Sequence, residues 1–105
     1  MFRKYDYGEE LNPSHYNGSL QPPNYDLSQI TVPLHLFYGD SDKFVAEEDL
    51  EMLVKGLAPG VVKLQEKVPY SGWQHNDFVY GVDAPLLVYN HIMSILNSEA
   101  ATAAP

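Results

Sequence analysis

A carboxylate and an imidazole follow the two segments of the sequence with the strongest β-strand character. Asp42 comes just after the apolar segment 30–38, and His75 comes just after the segment 61–70. If these segments are parallel strands, adjacent or one strand apart, their carboxyl ends lie roughly 5–10 Å from each other. A carboxylate that accepts a hydrogen bond from imidazole Nδ1 fixes the tautomer of the ring and stabilises the imidazolium. The spacing therefore predicts that Asp42 orients His75, whose second nitrogen takes a proton from a hydroxyl group.

Other titratable residues near these positions have simpler interpretations. Asp40 rivals Asp42 as the acid, but it stands in a turn and could equally accept backbone N–H groups there. Asp77 follows His75 by two residues, and we interpret it as a carboxylate that orients the loop or caps a helix. These four residues lack the spacing of a calcium loop, so we predict no metal site. The other histidines are interpreted as core, packing or surface residues: His15, His35 and His91.

Four elements of alternating type must position the two residues. The segment 30–38 is apolar on both alternating faces, which is typical of a buried parallel strand, and 61–70 is the second predicted strand. The segment 46–57 repeats apolar residues at helical spacing and begins with three acids, which the helix dipole favours. The segment 84–97 is the last predicted helix, with Asp83 as its N-cap. The order β-α-β-α predicts two parallel strands side by side in one sheet.

Two strands alone cannot cover a strand that is apolar on both faces. We therefore expect the sheet to continue in residues that this sequence does not contain. The alternative is a small two-layer α/β domain whose sheet edges are shielded.

The remaining segments show no regular period. Residues 1–29 are rich in Tyr, Asn, Pro, Ser and Gly, and Pro13, Gly18 and Pro22-Pro23 are predicted to break any helix or inner strand there. We expect this irregular segment to pack on a larger surface, residues 30–99 to form the α/β part, and residues 100–105 to be a flexible tail. Asn17-Gly18-Ser19 is an N-glycosylation sequon, a weak indication of a secretory route.

Composition excludes several classes of protein. Among 105 residues, 14 acids against 6 bases give a net charge of −8, which disfavours nucleic acid binding because phosphate contacts need clustered Lys and Arg. Cysteine is absent, so disulfides and Cys-based zinc sites are excluded. No apolar run reaches the roughly 18 residues of a membrane span, and the first residues lack the apolar core of a signal peptide.

Three motifs together give a more specific indication. They are an aromatic-Gly-x-x-Asp strand end at Tyr38–Asp42, a His-x-Asp-Phe loop at His75–Phe78, and Asp-Ala-Pro at 83–85 before Val-Tyr-Asn at 88–90. With these motifs, residues 2 to about 97 resemble the C-terminal end of the acid lipase family, which includes gastric and lysosomal acid lipases. Where that family usually has Asn-His-Leu-Asp-Phe, this chain has Gln74-His75-Asn76-Asp77-Phe78.

The resemblance implies the C-terminal β-α-β-α portion of an α/β-hydrolase sheet, preceded by an irregular segment. It implies a serine lipase that acts on neutral lipid esters, such as acylglycerols or sterol esters, at a lipid–water interface, without a cofactor. Asp42 and His75 would be the triad acid and base, in the family order Ser, Asp, His. A secreted or lysosomal location is implied in the same way.

The nucleophile is the missing component. None of the seven serines stands between two glycines in a Gly-x-Ser-x-Gly turn, so the nucleophilic Ser must lie elsewhere or be lacking. Taken alone, the chain is therefore expected to be inactive. The alternative is a truncated, inactive lipase-like protein that binds lipid or a partner without turnover.

Overall fold

The computed structural model describes residues 2–103, with side chains for residues 2–101. Two strands and several helices follow one another along the chain. In order they are helix α1 (Asn12–His15), a 3₁₀ turn (Leu27–Gln29), strand β1 (Leu34–Tyr38), helix α2 (Glu47–Gly56), strand β2 (Val62–Lys67), helix α3 (Asp77–Tyr80), a π-helical turn (Pro85–Tyr89) and helix α4 (Asn90–Ala103).

The sheet is parallel and consists of β1 and β2. Both strands are shorter than the sequence predicted. Pro33 has no N–H for the ladder, so β1 begins after it, where the Leu34 N–H donates to Val61 O over 2.9 Å. The last rung is the Val68 N–H on Tyr38 O at 2.8 Å, and Pro69 ends the pairing. The sheet and its helices are compatible with part of an α/β-hydrolase.

Burial along β1 differs from the expectation of a fully buried strand. All five of its residues are half-buried, while β2 alternates between half-buried and exposed residues. Two strands do not shield both faces of β1, which is the physical reason for the difference.

Helix α2 connects the two strands. Asp49 accepts the Ala46 backbone N–H through Oδ2 at 3.1 Å, which satisfies one donor of the first turn. Glu47 also binds the end of β2, where its Oε1 lies 2.6 Å from Lys67 Nζ. The hydrogen bond from Lys67 to Glu47 and the attraction of their charges raise the pKa of Lys67. This ion pair joins the start of α2 to the carboxyl end of β2.

The core lies where the loop after β2 meets the last helical segment. Val68, Trp73, Ala84 and Val88 are its buried members. Partly buried apolar side chains surround them: Phe37, Phe78, Leu87 and Ile92. Trp73 contacts Phe78 edge to face, with ring centroids 5.7 Å apart.

The C-terminal helical segment begins differently from the prediction. The N-cap residue is Ala84 rather than Asp83, and it is followed by Pro85 and one π-helical turn. Asp83 contributes its backbone carbonyl, which accepts the Leu87 N–H at 2.9 Å. Helix α4 then continues to Ala103, beyond residue 97 where the sequence predicted its end and into the predicted tail. Residues 104 and 105 of that tail lie outside the described residues.

The N-terminal segment contains a short helix that the sequence did not predict. Pro13 lies in the first turn of α1, where a missing N–H costs no helical hydrogen bond. Asn12 is buried and organises the surrounding chain. Its Oδ1 accepts the Tyr7 N–H at 2.9 Å, and its Nδ2 donates to Asp6 Oδ1 at 2.9 Å and to Leu20 O at 2.8 Å. An isolated antiparallel β-bridge pairs Arg3 with Asn24 and so joins the two ends of this segment.

No helix within residues 2–103 is both long enough and apolar enough to cross a lipid bilayer.

Candidate active site

The turn after β1 holds the carboxylate of Asp42. The turn folds back so that Asp42 Oδ1 accepts the N–H groups of Phe44 at 2.8 Å and Val45 at 3.2 Å. Such a side-chain turn forms readily because an aspartate can accept from the backbone two residues further on. One carboxylate oxygen is therefore bound locally, and Oδ2 is left for another partner.

The loop after β2 presents the imidazole. Gly72 has a φ of 90°, a left-handed conformation that glycine adopts without strain. Asp77 Oδ2 accepts the Gln74 N–H at 2.8 Å, so Asp77 orients this loop as the sequence predicted. His75 lies between Gln74 and Asp77, the two residues that this hydrogen bond joins.

Asp42 and His75 meet across the carboxyl edge of the sheet. Nδ1 of His75 lies 2.9 Å from Oδ2 of Asp42. The Asp42 side chain is only 6% exposed, whereas that of His75 is 53% exposed. Because Nδ1 is engaged by the carboxylate, Nε2 is the ring nitrogen that can exchange a proton with another group.

The surroundings of Asp42 favour its ionised form. Burial of the carboxyl raises the pKa of Asp42. This effect is outweighed by the hydrogen bond from His75, by the Phe44 and Val45 N–H groups, and by the attraction of the His75 charge, all of which lower the pKa. The pKa of Asp42 therefore lies below its ordinary value of 3.8. An ionised, buried carboxylate is suited to stabilising a protonated imidazole.

Phe44 is a contact that the sequence analysis missed. Its ring meets the His75 ring edge to face, with centroids 5.0 Å apart. The turn that lets Asp42 accept the Phe44 N–H also carries this ring towards the imidazole. The signal in the sequence was the aromatic residue two positions after the acid.

An open depression of about 550 Å³ adjoins the pair, and both Asp42 and His75 line it. Its other walls are mainly apolar and come from β1, α2 and the C-terminal helices. They include Leu36, Phe37, Leu50, Leu53, Phe78, Val88 and Ile92. The Asp42–His75 pair thus faces a largely apolar space.

The remaining polar candidates do not join the pair. Asp40 Oδ1 accepts the Gly72 N–H at 2.9 Å, so its carboxylate bonds to backbone rather than to the imidazole. Each of the other histidines has a different neighbour: His15 stacks on Tyr7, Nε2 of His35 lies 4.0 Å from Glu99, and Nδ1 of His91 lies 2.7 Å from Glu66. Within the described part of the chain, no group of three or more His, Asp or Glu side chains could hold a metal ion.

Comparison with curated proteins finds lipases. Over 96 aligned residues the chain is 38% identical to mouse lipase member N. The alignment covers 90% of this chain and 23% of that protein. It is 38% identical over 93 residues to mouse gastric triacylglycerol lipase, with coverage of 88% and 22%. Human lysosomal acid lipase/cholesteryl ester hydrolase is 32% identical over 96 residues, with coverage of 90% and 23%.

The chain is homologous to these lipases over about 90% of its own length. It spans about a quarter of the length of these curated relatives. No family model and no solved structure matches it.

One position at which the sequence differs from the usual acid lipase motif lies beside the histidine. Asn76 stands where the acid lipases usually have Leu, and it is the N-cap residue of α3. Its backbone carbonyl accepts the N–H groups of Val79 at 3.0 Å and Tyr80 at 2.9 Å. These bonds use only the backbone of Asn76, so the exchange of Leu for Asn leaves them unchanged.

Proposed function

We propose that this chain is part of a serine lipase that hydrolyses carboxylic esters of neutral lipids, acylglycerols or sterol esters, at a lipid–water interface. Asp42 is the triad acid and His75 the triad base. The observation that carries the proposal is the 2.9 Å contact between His75 Nδ1 and the buried Asp42 carboxylate. The relatives named above, which are lipases, support the substrate class and a secreted or lysosomal location.

The chemistry follows from the two ring nitrogens of His75. A serine hydroxyl attacks the ester carbonyl while Nε2 takes its proton. Asp42 holds Nδ1–H and stabilises the imidazolium, which then gives the proton to the departing alcohol. Water, activated by the same nitrogen, splits the acyl-enzyme, releases the fatty acid and restores the serine.

The nucleophilic serine comes from residues outside these 105. The hydroxyls of Ser14, Ser19, Ser28 and Ser41 donate to oxygen atoms close to them in sequence. None of the chain's serines stands in a Gly-x-Ser-x-Gly turn. We call the protein that carries this chain together with such a serine the complete lipase.

The decisive experiment replaces the two residues in the complete lipase. We expect His75→Gln and Asp42→Asn each to lower kcat on a triacylglycerol emulsion by about 10³- to 10⁴-fold, because each removes one member of the triad. A cholesteryl ester and a short soluble ester, assayed in parallel, separate the two lipid classes from a general esterase.

His15→Gln is the matched control, because His15 stacks on Tyr7 in the N-terminal segment and touches neither residue of the pair. It should hydrolyse the emulsion like the wild type. Hydrolysis by His75→Gln within tenfold of the wild-type rate would refute the assignment of the base.

A further inference from the structure

We propose that Asp40 is a positioning residue, whose carboxylate anchors the loop of His75 to the turn of Asp42. The inference rests on the proposed function, since it concerns the geometry of the same pair. Asp40 was the rival candidate for the triad acid, and the structure gives it a different set of contacts.

Two hydrogen bonds running in opposite directions join the turn to the loop. Oδ1 of Asp40 accepts the Gly72 N–H at 2.9 Å, across 32 positions of sequence. The Ser41 N–H donates to Trp73 O at 3.0 Å. The two bonds thus join Asp40 and Ser41, just before Asp42, to Gly72 and Trp73, just before His75.

The turn and the loop also approach each other closely at Gly39. A Cβ built on Gly39 would lie 2.4 Å from Trp73 O and 2.8 Å from Trp73 Cδ1. Trp73 itself is buried in the core. The turn and the loop therefore touch at Gly39 and Trp73, and the Asp40 bond holds the loop at Gly72, next to that contact.

The contacts of Asp40 call for an acceptor rather than a charge. Its Oδ1 takes the Gly72 N–H and also the Ser41 hydroxyl at 3.1 Å. An asparagine Oδ1 can accept the same bonds, whereas alanine cannot. Asp42 differs, because the pairing with His75 uses its buried negative charge.

Loss of the Asp40 anchor lets the His75 loop move away from Asp42. A displacement of about 1 Å in a catalytic group can cost about 100-fold in rate. Since Asp40 touches no substrate in this scheme, kcat falls and KM does not.

The test measures kcat per active site in the complete lipase, with sites counted by a fluorophosphonate that labels the serine. We expect Asp40→Ala to lower kcat per labelled site by about 10- to 100-fold at unchanged KM. Asp40→Asn should restore most of the rate. Asp26→Ala is the matched control, because Asp26 accepts the Ser28 N–H in a similar turn away from the pair, and its kcat should match the wild type.

Counting labelled sites separates an effect on positioning from an effect on folding. A variant that only unfolds has fewer labelled sites, but each remaining site keeps the wild-type kcat. An Asp40→Ala enzyme with wild-type kcat per site would overturn the inference. An Asp40→Asn enzyme as slow as Asp40→Ala would also overturn it, because the negative charge of Asp40 and not its hydrogen-bond acceptor would then be what supports kcat.

A second readout does not depend on ester hydrolysis. The carboxyl of Asp42 is titrated by ¹³C NMR in the same variants. Asp40→Ala should raise the pKa of Asp42 towards 3.8, because the hydrogen bond from His75 weakens, while Asp40→Asn and Asp26→Ala leave it unchanged. If the wild type neither reacts with the fluorophosphonate nor hydrolyses esters, the proposed function is refuted. Separately, an unchanged pKa of Asp42 in Asp40→Ala would refute the positioning role.

Discussion

At the scale of single residues, the two aspartates of one turn differ in what surrounds them. The Asp42 side chain is almost fully buried and accepts from an imidazole and two backbone N–H groups, whereas Asp40 is exposed and bonds to the neighbouring loop. A buried carboxylate is stable only when donors compensate for its lost hydration. The donors around Asp42 do so, and the balance appears as a lowered pKa.

The lowered pKa of Asp42 predicts a pH dependence of stability. The unfolded chain has the ordinary pKa of 3.8, and the folded pKa lies below it. The stabilisation is therefore complete above about pH 3.8 and is lost as the pH falls through the folded pKa. Asp42→Asn should destabilise the complete lipase by about 1–3 kcal/mol at pH 7, with the difference shrinking below about pH 3.8, as measured by urea unfolding over a pH series.

Glu9→Gln is the control for this series, because Glu9 is an exposed carboxylate in the turn before α1. Its unfolding free energy should follow that of the wild type at every pH. A loss for Asp42→Asn that stays constant down to pH 2 would contradict the assignment of the stabilisation to the ionised carboxylate.

At the scale of elements, the sequence predicted what local patterns determine. Apolar segments followed by turn residues predicted the two strands, and the strand ends brought Asp42 and His75 into the same region. The strand bounds were wrong where the prediction ran through Pro33 and Pro69, although proline's missing N–H is itself readable in the sequence. The α1 helix was missed because its stability depends on Asn12, whose partners are known only once the chain is folded.

The close approach of β1's turn to the loop after β2 makes Gly39 sensitive to substitution. A Cβ there would lie 2.4 Å from the carbonyl oxygen of Trp73, and backbone at that distance must move. We expect Gly39→Ala to destabilise the complete lipase by about 1–3 kcal/mol, as overpacking does, measured by urea unfolding.

Gly56→Ala is a matched control within α2. Its Cβ would meet only the Leu27 side chain among its neighbours, with Cδ1 nearest at 3.1 Å and Cβ and Cγ at 3.6 and 3.7 Å. Alanine is also the better helix former by about 1 kcal/mol. This variant should be neutral or more stable. Equal losses at both glycines would show that the contact with Trp73 does not decide the effect.

At the scale of the whole molecule, the chain is extended for its length. Its Cα radius of gyration is 17.8 Å, whereas a compact domain of 105 residues has about 13 Å. Large apolar side chains on α3, in the turn after it and on the π-helical turn are exposed, among them Val79, Tyr80, Val82 and Leu86. Few residues are buried, so the apolar surface removed from water is small compared with the conformational entropy lost on folding.

This imbalance predicts that the 105 residues alone do not unfold cooperatively. In urea the isolated chain should give a broad transition with a slope below about 1 kcal/mol/M, and it should bind a hydrophobic dye in buffer. Trp73 is the one tryptophan and is 2% exposed in the structure, so its fluorescence reports directly on the core. We expect emission close to that of the same chain in concentrated urea, which is the internal reference. A sharp transition with blue-shifted emission would instead mean that the contacts around Trp73 and Val88 suffice, and that the sheet needs no further strands to hold Asp42 and His75 together.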